Sequence, residues 1–121
     1  MAEVVDDTDF IVTCLPVIQE VLQGFDDDRA YGVAYTAMHA FPCVESPLCG
    51  TVVDQAVDIY RRARRAGLTV RSSVDCLIAA CALRHGLTVV HCDRDYGAIA
   101  RVVSLRHVDI RPRLAASPLR A

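Results

Sequence analysis

The sequence predicts an α/β fold, a central, mostly parallel sheet flanked by helices, in one domain spanning residues 1–121. Three observations carry this. Short apolar runs alternate with longer segments of helical periodicity. The run Leu87–His91 is apolar nearly throughout, as a strand covered on both faces should be. Helical segments stop at glycines, at Gly24, Gly67 and Gly86. A chain that is 53% hydrophobic and 23% charged has the composition of a globular protein.

The elements follow in order. Ala2–Asp9 reads as the end of a preceding helix and its loop. Phe10–Val12 fits a strand. Thr13, Pro16 and Gly24 frame a first helix as cap, first-turn proline and stop signal. Asp26–Asp28 open a second, where negative charge suits the helix N-terminus; its apolar residues Ala30, Val33, Ala34, Ala37, Met38 and Phe41 recur at helical spacing. Phe41–Gly50 is a loop with a short strand near Cys43–Val44. Thr51 caps a third helix whose apolar face comprises Val52, Val53, Ala56, Val57, Tyr60 and Ala63. Ser72 and Ser73 start a fourth, Val74–His85, whose body is apolar nearly all round and so is expected to be deeply buried. Leu87–His91 is the central strand, Tyr96–Val103 a short helix and Arg106–Ile110 a last strand. The tail Arg111–Ala121 reads as loose.

Charge is divided along the chain. Residues 1–58 carry eleven acids and one base, residues 59–121 twelve arginines and four acids. A basic half attracts phosphate-bearing partners, although solvated arginine faces give the same pattern. Arg61, Arg62, Arg64 and Arg65 form its densest cluster and are candidates for contact with the phosphates of such a partner. None of the six cysteines has a neighbour at C-x-x-C or zinc-finger spacing, so they read as buried thiols of a reducing, cytoplasmic environment. No apolar run reaches the roughly 18 residues of a membrane span, and the acidic start is unlike a signal peptide.

Three acids occupy odd places. Glu20 lies on an otherwise apolar helix, Asp75 in the first turn of the most apolar helix, and Asp93 just after the central strand, where sites form in parallel sheets. Each has a local alternative: Glu20 as a partly exposed helix residue, Asp75 as a helix-dipole partner, Asp93 or Asp95 as a cap. If the three converge, only a cation or protonation relieves their repulsion, and oxygen-only ligands favour Mg²⁺ or Mn²⁺ over zinc. His91 reads as a core or surface residue rather than a ligand.

The stretch VRSSVDCLIAACALRHGLTVVHCDRDYGAIA resembles the C-terminal half of PIN-domain ribonucleases of the VapC toxin type. Ser73, Asp75, Ile78-Ala79-Ala80, Gly86 and Asp93-Arg94-Asp95-Tyr96 match that family's order and spacing. Thr13 to Leu22, with Glu20, is similar to its early strand-to-helix segment. The resemblance implies a PIN-like three-layer fold and a metal-dependent endoribonuclease, the toxin of a toxin–antitoxin pair. Glu20, Asp75 and Asp93 would then be metal-site carboxylates, Asp95 a fourth, and Ser73 a hydroxyl near the site. The implied cofactor is Mg²⁺, with Mn²⁺ an alternative. The implied partners are an RNA substrate, a cognate antitoxin and a second copy in a homodimer, with no membrane.

The family's pattern opens with a strand ending in Asp, well before the Glu segment. Here Glu20 follows too soon after Val4-Val5-Asp6 for that, so the fold is expected to be N-terminally truncated and short of one site carboxylate. Weakened metal binding and cleavage follow, with a catalytically silent binding module as the alternative. An Asp-x-Asp phosphotransferase is disfavoured, because its pair ends the first strand rather than a late one.

Overall fold

The computed structural model describes residues 11–112 and the backbone of 2–5. The expectations for residues 6–10 and for the tail from 113 onward lie outside those residues.

Five strands form one sheet. They are β1 (Ala2–Val5), β2 (Ile11–Cys14), β3 (Cys43–Val44), β4 (Thr88–His91) and β5 (His107–Asp109), in the order β3-β2-β1-β4-β5. The pairs β2–β3 and β4–β5 are parallel, with Thr13 opposite Cys43 and Val90 opposite Val108. Strand β1 runs antiparallel to both neighbours, with Val4 opposite Val12 on one side and Ala2 to Val5 opposite His91 to Thr88 on the other.

This corrects the reading of the leading segment as helix end and loop. Its residues 2–5 are a strand in the centre of the sheet. The reason is backbone supply and demand. Strands β2 and β4 each present a row of amides and carbonyls to the gap between them, and an extended Ala-Glu-Val-Val segment fills it.

Five helices flank the sheet: α1 (Leu15–Leu22), α2 (Asp28–Ala40), α3 (Gly50–Arg65), α4 (Ser73–His85) and α5 (Asp95–Ala100). Helix α1 starts directly from β2, so its cap is Cys14 and not Thr13, which stays in the strand. The cap of α3 is likewise Cys49 rather than Thr51. Asp27 caps α2 as its type predicts, accepting the Ala30 amide at 3.0 Å. Of the apolar residues of α2 only Met38 is buried, and Val33 is 68% exposed, because α2 packs chiefly on α1.

Helix α4 forms the spine of the domain. Cys76 and the run Ile78 to Ala82 are all buried, as its apolar circumference requires. Helix α3 packs on it through Val52, Ala56, Ile59 and Ala63, spaced four, three and four residues apart. Val53, Val57 and Tyr60, assigned to the same face from sequence, are instead 42%, 54% and 39% exposed. Two left-handed glycines stop these helices. Leu68 donates to Ala63 at 2.9 Å across Gly67, and Leu87 to Ala82 at 2.8 Å across Gly86, which has φ 65°. The second turn feeds the chain straight into β4 and so determines where that strand ends.

All six cysteines are free, with Cys14, Cys76 and Cys81 buried. No helix among the described residues is long and apolar enough to cross a membrane.

A Gly86→Ala substitution isolates the backbone contribution, because a Cβ there meets nothing within 4 Å. The left-handed conformation alone should lower stability by about 1–2 kcal/mol, read by urea unfolding. An unchanged midpoint would mean that the turn relaxes.

Candidate metal centre

The sheet and α4 bring three aspartates together. Asp75 lies in the first turn of α4, Asp93 in the loop after β4, and Asp95 is the first residue of α5. One carboxylate oxygen from each falls within 4.8 Å of the others. Asp75 and Asp95 are each only 2% exposed. Burying like charges this closely is costly unless they are hydrogen-bonded, protonated or bound to a cation.

The hydrogen bonds divide the three by role. Oδ2 of Asp95 accepts the amides of Arg71 and Ser72, both at 3.0 Å. That carboxylate therefore fastens the loop entering α4 to the start of α5. The Asp95 amide in turn donates to Oδ1 of Asp93 at 2.9 Å, which fixes the turn after β4. Asp75 receives the Tyr96 hydroxyl on Oδ1 at 3.0 Å, while its Oδ2 is buried with no hydrogen-bond partner. A buried carboxylate oxygen left open beside two further carboxylates suits a hard divalent cation, and the donor set is oxygen throughout.

Burial pushes the Asp75 carboxyl up to about 8, with the adjoining Asp95 carboxylate and the charge of Asp93 adding to the effect and the Tyr96 hydroxyl opposing it. At neutral pH and without a cation, Asp75 therefore holds a proton.

Of the acids expected from sequence, Asp75, Asp93 and Asp95 are together. Glu20 stands outside the group of three, half-buried on α1, but close enough for its charge to act on both Asp75 and Tyr96. Ser73 is exposed at the start of α4 and lines an apolar groove with Val53, Val57 and Tyr60 of α3. Arg61, Arg62, Arg64 and Arg65 are exposed on α3, where Arg62 pairs with Asp58 at 2.8 Å.

Sequence reasoning missed three supports of this site. Tyr96 was visible as the aromatic of the D-x-D-[FY] element, but its orienting bond to Asp75 was not anticipated. His91 is buried, as one of its two readings had it, and it acts as a post. Its Nδ1 accepts the Asp93 amide at 3.1 Å, which leaves Nε2 to donate to Nδ1 of His107 at 2.8 Å. Burial, then His107, holds its pKa below the usual histidine range and keeps that neutral tautomer. Glu45 follows β3 in the left-handed region at φ 55°, and it accepts Arg84 Nε at 2.7 Å, His85 Nε2 at 2.9 Å and the Cys49 amide at 3.1 Å. It anchors the far end of α4 as Asp95 anchors the near end.

A five-stranded sheet with flanking helices and an acidic cluster at the rim where β4 ends defines an α/β domain of the PIN class. The PIN-domain sequence pattern matches residues 2–102, and the chain belongs to the PIN-domain family. It is 41% identical over 107 residues to VapC ribonuclease Mb1587 of Mycobacterium bovis, an alignment covering 84% of this chain and 75% of that protein. Ribonuclease VapC11 of Mycobacterium tuberculosis matches to the same extent. Among solved structures, FitAB bound to the IR36 DNA fragment shares the fold, with a TM-score of 0.58 at 17% identity over 81% of this chain and 71% of that one.

The pKa of Asp75 gives the metal-free chain a pH dependence of definite sign. Between the ordinary 3.8 and about 8 the folded state keeps a proton that the unfolded chain has lost. Stability should therefore fall as pH rises through that window, by at most about 1.4 kcal/mol per unit. Urea unfolding in chelator from pH 5 to pH 8 measures it, with Asp75→Asn expected to flatten the slope. Tyr96→Phe, which removes the donor to Asp75 Oδ1, should cost about 1 kcal/mol and steepen the dependence at the alkaline end. A pH-independent wild type would overturn this assignment of the proton.

Proposed function

We propose that this chain carries the site of a toxin-type endoribonuclease, a divalent-cation centre that hydrolyses phosphodiester bonds within RNA strands. The observation that carries the reading is a buried Asp75 with one oxygen, Oδ2, left without a hydrogen-bond partner, in a cluster with Asp93 and Asp95. The ribonuclease names of relatives at 41% identity supply the substrate class.

Asp75, Asp93 and Asp95 would hold the cation, Mg²⁺ by preference and Mn²⁺ as an alternative, with Glu20 beside them. When bound, it supplies Lewis-acid polarisation of a phosphoryl oxygen and a lowered pKa for the attacking water. The protein's own residues do the rest. Tyr96 holds Asp75 so that one oxygen stays open. Asp95 spends one oxygen on two backbone amides and so keeps the cluster from splaying apart. His91 holds the Asp93 amide and through it the direction of the loop. Glu20 adds negative charge that favours the cation and offers a carboxylate to orient a water. No Ser–His or Cys–His nucleophile is called for.

The same relatives support a cognate antitoxin as partner. The exposed apolar faces of α2 and α3 offer surface for it or for a second copy of the chain. The free thiols, three of the six buried, suit a cytoplasmic setting.

A second reading, a catalytically silent PIN module, is favoured by one observation. In β1 it is Ala2 that lies beside His91 at the acidic rim, while Val5 lies beside Thr88 at the opposite one. The carboxyl end of this central strand therefore points away from the cluster.

Two measurements on the 121-residue chain separate the readings. Calorimetric titration with Mg²⁺ should show binding that Asp75→Asn or Asp93→Asn weakens by at least about tenfold. Incubation with end-labelled RNA should then show Mg²⁺-dependent internal cleavage, lost by about 100-fold or more in Asp75→Asn. Binding without cleavage would establish the silent module. Absence of Mg²⁺ and Mn²⁺ binding at pH 8 would refute the metal centre itself.

A further inference from the structure

Tyr60 is the common wall of three adjoining concavities. The first, about 350 Å³, is the apolar groove between α3 and α4, floored by Val57, Cys76 and Leu77 and edged by Ser73. The second, about 210 Å³, lies between Arg64 and the segment Leu68–Val70. The third, about 350 Å³, is bounded by Arg61, Arg64 and Arg65. An aromatic ring that is 39% exposed thus stands where an apolar trough meets a basic one. On the helix, residues 60, 61, 64 and 65 make one continuous stripe. Arg62 falls outside it and is held by Asp58. Among the described residues, Arg61, Arg64 and Arg65 have no ion-pair partner.

We infer that this stripe is a single-stranded RNA subsite, in which a base stacks on Tyr60 at the mouth of the apolar groove and flanking phosphates lie on Arg61, Arg64 and Arg65. It rests on the ribonuclease reading and adds to it the residues that seat the strand. A positive trough beside an exposed aromatic is the combination that holds single strands with little sequence preference. Cationic charge at the end of α3 is by itself explained by the helix dipole. The dipole does not explain why three of the four arginines lack acidic partners among the described residues and surround a tyrosine. A protein partner would have to bring a carboxylate to each of those three guanidinium groups or bury it uncompensated, which is costly. RNA phosphates would instead neutralise them. The groove also lies at the right end of α4, because Ser73 on its edge precedes Asp75 by two residues.

The test is fluorescence anisotropy of a labelled 12-nucleotide single-stranded RNA with the full chain in chelator, so that binding is read without cleavage. Tyr60→Ala should weaken binding roughly 5- to 100-fold, and Tyr60→Phe should restore it. Arg61→Ala, Arg64→Ala and Arg65→Ala should each lower the salt dependence by about 0.7 in log–log slope. Arg62→Ala should leave both readings unchanged. Wild-type binding that Tyr60→Ala does not alter, an Arg62→Ala loss equal to that of Arg64→Ala, or no RNA binding by the wild type would each overturn the subsite. So would a Tyr60→Ala change in sedimentation coefficient with RNA binding intact, which assigns the groove to a second copy of the chain. The two ideas fail separately. Mg²⁺-dependent cleavage insensitive to Tyr60 keeps the nuclease without the subsite, and Tyr60-dependent binding without cleavage keeps the subsite without the nuclease.

Discussion

The arrangement of this domain turns on the carboxylate of Asp95. With one oxygen it takes the two backbone amides that lead into α4, and its own amide holds Asp93. The first two bonds join segments more than twenty residues apart in sequence, and all three together fix the elements that carry the other aspartates. A cluster of like charges tends to separate, and besides a proton or a cation a hydrogen-bonded frame is needed to hold its members in place. Here the frame is built from one member of the cluster. Asp95 is therefore ligand candidate and scaffold at once, and a substitution there disturbs the fold as well as the site.

The opposite end of α4 has a matching device. Glu45, held almost out of solvent, gathers Arg84, His85 and the Cys49 amide. Burial alone would raise its pKa, but the Cys49 amide, then His85 and Arg84, outweigh this and bring it below the usual carboxylate value. The two carboxylates, Glu45 and Asp95, thus clamp one apolar helix at its two ends. Between them the small side chains Ala79, Ala80 and Ala82 allow close approach of the neighbouring elements. This is how a domain with a small core holds a charged rim in place.

Much of this was legible in the sequence because it is local. Gly86, the apolar body of α4, the β4 run and the Asp-x-Asp pair lie within about two dozen consecutive residues, and each signals through its own neighbours. What was not legible depends on partners remote in the chain. Nothing near Glu45 announces that Arg84 will reach it. Val53, Val57 and Tyr60 share the hydrophobic period of α3 but lie beyond the edge of α4, so periodicity placed them in the core while the packing leaves them exposed. Cys14 and Cys49 displaced the expected caps Thr13 and Thr51 because the strand and loop run one or two residues further or shorter than side-chain preference alone suggests.

The strand β1 shows the limit most plainly. Four residues with two valines are too few to declare a strand by themselves, and their assignment comes entirely from the vacant edges of β2 and β4. Backbone hydrogen bonding rewards any extended segment in that gap in either direction, since antiparallel pairing is at least as favourable per residue as parallel. Direction nevertheless matters for chemistry. A parallel strand would deliver its carboxyl end, and whatever side chain follows it, to the rim beside Asp93; the antiparallel one delivers its amino end. Sheet completion and site completion are therefore separate requirements here. The first is met by backbone groups alone, whereas the acidic cluster is assembled by Asp75, Asp93 and Asp95 from α4, the loop after β4 and α5.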